Sequence, residues 1–169
     1  MKTVQRFISY SLSALFLLTL SGLAVATHHE KPKINLVEVA ANNDDFQTLV
    51  MAIRASDLSG ILEGKGPFTV LAPTDDAFNK LPEGALAELL KPENKEQLQA
   101  LLKYHVLPGA ISSKEVGMLK LPKTLQGGTV TIESSENSVT INGAKVITGG
   151  IEASNGIIHI IDTVLIPKE

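Results

Sequence analysis

The stretch from Asn155 to Pro167 reads Asn-Gly-Ile-Ile-His-Ile-Ile-Asp-Thr-Val-Leu-Ile-Pro. Taken with a period of two, Ile157, His159, Ile161, Thr163 and Leu165 share one face. Ile158, Ile160, Asp162, Val164 and Ile166 share the other. Both faces are mostly apolar, which predicts a strand of ten residues buried on both sides. β-branched residues dominate, Asn155-Gly156 signals a turn and Pro167 a stop, so a helix is disfavoured. The rest of the chain must cover this strand.

The preceding pattern divides in two. Up to Leu107 the spacing is mainly helical. Asn35 suits an N-cap before Leu36, Val37, Val39 and Ala40. Asp44 or Asp45 can cap a second helix, in which Phe46, Leu49, Val50 and Ile53 fall on one face. Phe68 to Ala72 is a short strand, stopped by Pro73. Thr74 then caps a helix with Asp75 and Asp76 in its first turn and Phe78 and Leu81 on its apolar side. Leu86, Leu89 and Leu90 make another short turn or two. Asn94, with Gln97 three residues on, reads as a capping box for a helix that buries Leu98, Leu101 and Leu102. After Lys120 the period changes to two: residues 129–133, 138–141 and 145–148 alternate. Asn142-Gly143 is a strong hairpin signal, and Gly149-Gly150 a bend. Helices first and strands later predict an α+β domain.

The chain has 169 residues, 44% hydrophobic and 20% charged, in keeping with one domain and a real core. It has no cysteine, which excludes disulfides and thiolate metal sites. Residues 1–26 read as an export signal. Lys2 and Arg6 precede an apolar run from Leu12 to Leu20, and Ala24-Val25-Ala26 fits a cleavage site. The apolar core is short for a span, so no stable membrane span is expected after cleavage. Its make-up is bacterial in type and places the product in a periplasm or outside the cell. Cleavage would leave 143 residues with 13 basic and 18 acidic side chains, a net charge of −5. Residues 27–33 form a short polar leader and 34–169 the domain. No long basic run remains, which argues against nucleic acid as a partner.

Three strings in this order and spacing resemble the signatures of the fasciclin-like domain. They are Phe68-Thr69-Val70-Leu71-Ala72-Pro73-Thr74-Asp75-Asp76-Ala77-Phe78, Tyr104-His105-Val106-Leu107, and the Asn155–Pro167 stretch. The resemblance covers about residues 34 to 167. It implies two β-sheet layers set at an angle, a sandwich or wedge, with several short helices packed at one side. It also implies an extracellular or surface role in adhesion or matrix interaction. In animal members some integrin contacts are attributed to the Tyr-His region, here Tyr104 and His105. Others are attributed to an Asp-Ile pair that here reads Gly150-Ile151, without the aspartate. No Arg-Gly-Asp occurs.

Candidate chemistry is sparse, and no cofactor is implied. Tyr104 and His105, with the Leu107-Pro108-Gly109 turn, are the candidate partner-binding surface. The competing reading, preferred on physical grounds, is a histidine bonded to backbone and a tyrosine packed on the core. His159 lacks a nucleophile and an aligned carboxylate, so it reads as a hydrogen-bonded core or edge histidine. Asp75 and Asp76, adjacent in a helix, do not converge and suit its N-terminus. Cleavage after Ala26 would expose Thr27-His28-His29. Its amine, amides and the His29 imidazole could form a square-planar Cu(II) or Ni(II) site, for which His28 and His29 are the named residues. The leading expectation is a secreted or periplasmic, non-enzymatic module binding a cell-surface or matrix protein, polysaccharide or lipid. The alternative is a periplasmic carrier of a lipid or apolar ligand, or an enzyme, using a pocket between the sheets.

Overall fold

The computed structural model describes residues 34–135 and 138–167. The expected export signal and leader, with His28 and His29, lie outside the described residues. Helices α1 (Leu36–Ala41), α2 (Gln47–Ala55) and α3 (Ser59–Leu62) precede strand β1 (Phe68–Pro73). Helices α4 (Asp75–Asn79), α5 (Ala85–Leu89) and α6 (Lys95–Tyr104) follow it. Then come β2 (Val106–Pro108), α7 (Ser113–Val116), β3 (Ile132–Ser135), β4 (Ser138–Ile141), β5 (Ala144–Ala153) and β6 (Gly156–Ile161).

The six strands form one mixed sheet in the order β2-β1-β6-β5-β4-β3. β1 and β6 are its parallel pair, in register from Phe68 opposite Gly156 to Pro73 opposite Ile161. The other pairings are antiparallel. Alternation along these two central strands sorts the interior into two cores. Val70, Ala72, Ile158 and Ile160 pack with Leu36, Leu49, Ile53 and Leu98 from the helices. Leu71 and Ile161 pack instead with Leu107, Val116, Ile132 and Ile141.

The second core requires the sheet to curl. β1 and β4 are separated in the ladder by β6 and β5, yet Leu71 and Ile141 belong to one cluster. β5 supplies the curvature. Its register against β6 shifts between Val146 and Thr148 and again between Thr148 and Ile151. Each bulge adds twist and bends the strand. Gly150 in the second bulge has φ of +83°, a conformation that suits glycine. In place of two separate sheet layers, a single ladder closes over its own face. The helices are also not confined to one side, because α7 delivers Val116 to the second core.

Local signals explain most boundaries. Asn35 caps α1 by accepting from the Glu38 amide at 2.9 Å, and Glu38 returns the bond to the Asn35 amide at 2.9 Å. Thr74 caps α4 through the Ala77 amide at 3.2 Å. Asn142 and Gly143 adopt φ of +49° and +85° in the β4–β5 hairpin. Asn94 behaves otherwise. It ends a 3-10 turn (Pro92–Asn94), and its side chain donates to the Glu88 carbonyl at 2.7 Å instead of capping α6. The second helix is preceded by Asn43, which caps a 3-10 turn at Asp44–Phe46 by accepting from the Asp45 amide.

The last strand is shorter than its apolar pattern. β6 ends at Ile161, where β1 runs out at Pro73 and the Thr74 amide takes the Ile161 carbonyl at 3.3 Å. Asp162 then substitutes a side chain for ladder backbone, accepting from the Lys145 amide at 2.8 Å. Its neighbours Val164 and Leu165 remain buried without strand pairing.

Candidate functional site

Tyr104, His105, Leu107 and Pro108 lie at the exit of α6 and in β2. Tyr104 is buried, with its hydroxyl donating to the Thr129 carbonyl at 2.9 Å and accepting from the Asn142 side chain at 2.9 Å. Asn142 also accepts from the Thr131 amide at 2.7 Å. Tyr104 therefore ties the end of α6 to the β4–β5 hairpin. Leu107 is fully buried in the second core. Of the four expected contact residues, Pro108 alone is exposed.

His105 is 2% exposed and bonded at both ring nitrogens. Nδ1 lies 2.8 Å from the Leu101 carbonyl, and Nε2 accepts from the Leu165 amide at 2.9 Å. The first contact needs a proton on Nδ1 and the second forbids one on Nε2, so the ring is neutral with a fixed tautomer. Burial lowers its pKa from the ordinary 6.5 to about 4, against a smaller upward pull from the Leu101 carbonyl.

His159 is locked in the opposite tautomer. Nε2 donates to the Ile111 carbonyl at 2.8 Å, and Nδ1 accepts from the Gly150 amide at 3.2 Å. Burial again lowers its pKa, opposed by the Ile111 carbonyl. Gly149 makes room for the ring: a β-carbon there would stand 2.7 Å from Nδ1 and 2.8 Å from the Ser113 hydroxyl. Thr69 works beside it. Its hydroxyl donates to the Gly109 carbonyl at 2.7 Å and accepts from the Ile111 amide at 2.9 Å. The 109–111 segment is thus stitched to the sheet by a threonine of β1 and a histidine of β6.

That stitching presents a surface. The Gly109 amide donates to the Pro67 carbonyl at 2.9 Å, and Gly109 has φ of +98°. Pro67, Pro108 and Ala110 stand exposed on this held turn. Beside it opens a cleft of about 750 Å³, lined by Lys65, Pro67, Ala110, Glu152, Ser154 and Ile157 among others. By contrast, the cavity enclosed between the helices and β1–β6 is about 10 Å³, scarcely room for one water.

A second cleft, about 510 Å³, gathers Asp44, Asp45, Asp75, Asp76 and Asp162 near Lys80. Two of these carboxylates already have work. Asp75 accepts from the Thr48 amide at 2.8 Å in the first turn of α2, and Asp162 binds Lys145, Thr163 and Lys80. Burial pushes the Asp162 pKa up, but these three donors outweigh it and hold the group below its usual range. Among the described residues, no three His, Asp or Glu side chains are grouped to hold a metal. No helix of the described residues is long and apolar enough to cross a membrane.

The sequence profile of the Fasciclin domain matches residues 44–167. The chain belongs to the fasciclin domain family. Protein sll1483 of Synechocystis sp. is 40% identical over 99% of this chain and 99% of its own length. Transforming growth factor-beta-induced protein ig-h3 of Sus scrofa is 37% identical over 79% of this chain, which spans only 19% of that protein. The solved FAS1 domain pair from the insect cell adhesion molecule Fasciclin I superposes with a TM-score of 0.72 at 18% identity. It covers 80% of this chain and 52% of that one. That last likeness speaks to the fold: a fasciclin domain with helices packed on a curled mixed sheet.

One residue of the fasciclin signature carries more than its sequence role suggests. Asn155 reads as a turn residue. Its side chain accepts from the Leu36 amide at 2.9 Å and donates to the Leu62 and Gly64 carbonyls at 2.6 and 3.0 Å. Its own carbonyl accepts from the Phe68 amide at 3.1 Å. It joins the start of α1, the end of α3, β1 and the entry to β6. A turn-type asparagine followed by a buried strand was the available signal, but its partners lie about ninety or more residues away in the chain.

Proposed function

We propose that this chain is a secreted or periplasmic, non-enzymatic binding module that mediates adhesion or cell-surface and matrix interactions. The observation that carries the reading is the division of labour around β2. The motif side chains Tyr104, His105 and Leu107 are interior, whereas Pro67, Pro108 and Ala110 project from a turn held by Thr69 and His159. A rigid exposed turn beside a cleft suits recognition by outer surface. Both described histidines have each ring nitrogen engaged by a backbone group, so neither offers a free nitrogen for proton transfer to a substrate. The tie of a related fold to a cell adhesion molecule supports the same class of role.

In this reading Tyr104 and His105 position the contact surface and Pro108 belongs to it. The test is retention of the full chain by intact cells and envelope extract. Pro108→Ser combined with Ala110→Asp should lower retention about tenfold or more while the thermal melt is unchanged. Full retention by that variant contradicts the assignment of the turn.

One observation favours a second reading, carriage of an apolar ligand. A groove of about 530 Å³ is lined by Leu81, Ala85, Leu89, Leu101, Val164 and Ile166, together with a few further residues. Native mass spectrometry of the purified chain tests it. A copurifying lipid-sized mass that is lost on Leu89→Asp supports carriage, and the bare chain mass argues against it.

A further inference from the structure

Between α7 and the 124–131 segment, the chain exposes three apolar side chains on one short turn. Met118 is 79% exposed, Leu121 63% and Leu119 36%. The exposure does not come from a loose backbone. The Met118 amide bonds the Glu115 carbonyl at 3.0 Å, and the Leu119 amide the Val116 carbonyl at 3.3 Å. The Lys120 carbonyl accepts from the Ile132 amide at 2.9 Å, and the Pro122 carbonyl from the Val130 amide at 3.1 Å. Val116 at one end is buried in the second core. The turn is therefore held against the sheet edge with its apolar tips outward.

The surrounding charge has a definite sign. Residues 114–123 contain Lys114, Lys120 and Lys123 against one acid, Glu115, in a chain whose formal net charge is −3. All three lysines are exposed. Among the described residues, the ion pairs involve Lys80, Lys91 and Lys95, and none of these three. The Glu115 carboxylate, itself exposed, accepts from the Ser112 amide at 2.8 Å in the cap of α7.

We propose that this turn docks the domain on an anionic lipid surface. Met118 and Leu121 enter the boundary between headgroups and acyl chains, and Lys114, Lys120 and Lys123 face the lipid phosphates. A protruding tip of three side chains offers far less than the roughly 800 Å² per partner of a stable protein interface. A bilayer makes no demand for shape complementarity, and it rewards apolar tips ringed by lysines. The proposal names a partner for the surface-binding reading and rests on export only for access to such a membrane.

The full chain should co-sediment with phosphatidylcholine vesicles containing phosphatidylglycerol, less with phosphatidylcholine alone, and less in high salt. Met118→Ser with Leu121→Ser should weaken binding about tenfold or more. Lys114→Gln with Lys120→Gln and Lys123→Gln should remove both the lipid-charge and the salt dependence. These positions are exposed, and an unchanged thermal melt confirms that the variants fold. Equal binding by parent and variants overturns the proposal, since another segment common to all of them is then responsible. So does a failure to bind either vesicle. A concentration-dependent dimer lost in the Met118/Leu121 variant, without vesicle binding, assigns the patch to a second copy and also overturns it. Envelope retention separates the two levels. If parent and variants are retained equally, the lipid assignment falls and the binding reading stands. If none is retained by envelope or vesicles, both fall.

Discussion

On one face of β6, Ile158 and Ile160 lie in a core of apolar side chains shared with Leu36, Leu49, Ile53 and Leu98. On the other face His159 sits two residues from Ile161, bonded to the backbone of Ile111 and Gly150. Thr69 of β1 and His105 at the exit of α6 belong to the same style of construction, a buried polar side chain closing on distant backbone. The helix-covered face is held by the removal of apolar surface from water, which is tolerant of small volume changes and indifferent to pH. The curled face depends on hydrogen bonds whose loss leaves buried donors and acceptors unpaired. It is the curled face that positions the exposed Pro108 turn, so the proposed recognition surface rests on the more brittle half.

That contrast can be broken most sharply at His105. His105→Ala leaves the Leu165 amide unpaired in the interior and opens a cavity. We expect a loss of about 3 to 5 kcal/mol in urea unfolding. Acid should expose the same dependence without mutation. The His105 pKa is depressed in the fold, from 6.5 to about 4, so the unfolded chain binds the extra proton first. Its contribution is complete above pH 6.5, shrinks as pH falls, and is lost by about pH 4. It amounts to about 3 kcal/mol by the usual linkage. Urea midpoints measured across that window should decline in the parent, and the slope should flatten in a His105→Asn variant. His159, also lowered, adds a slope of the same sign.

Smaller effects grade the two faces. Asn155→Ala removes three side-chain bonds at a part-buried junction and should cost about 2 to 3 kcal/mol, read by chemical denaturation. Tyr104→Phe keeps the ring and strands the Asn142 side chain and the Thr129 carbonyl. About 1 to 2 kcal/mol is expected, with faster amide exchange in the β4–β5 hairpin. On the helix-covered face, Ile158→Val should cost about 1 kcal/mol, with no change in pH dependence. A cost at Ile158 as large as that at His105 would erase the distinction.

How much of this was legible in the sequence follows the same line. The helix-covered face was readable because its signals are local and periodic. Leu49, Val50 and Ile53 recur at helical spacing, and Asn35 and Thr74 precede their helices. The curled face was not, because its partners are backbone groups brought together by topology. His159 meets Ile111 across 48 residues and His105 meets Leu165 across 60. The sequence marks His159 as a hydrogen-bonded structural histidine and leaves His105 between that reading and a contact role, and it names the partners of neither. The end of β6 was missed for a related reason. Apolar alternation continues to Ile166, but Pro73 ends β1, and at Asp162 the amide still donates to the Lys145 carbonyl while the carboxylate accepts from the Lys145 amide. Helix α7 leaves almost no periodic signal because it is four residues long, announced only by the Ser112 and Glu115 capping box. The fasciclin signatures at 68–78 and 155–167 fall on the parallel β1–β6 pair and its flanks, the part of the fold where local pattern and global topology agree.

The central claim is that the Tyr-His motif is an interior lock whose rigidity, not whose side chains, serves recognition. Nitrogen-15 NMR of the His105 ring tests it most directly. The account predicts a neutral ring protonated on Nδ1 through the neutral range, with protonation setting in only as pH approaches about 4. A His105 ring that titrates near 6.5 in the folded chain, with both tautomers populated, would contradict it.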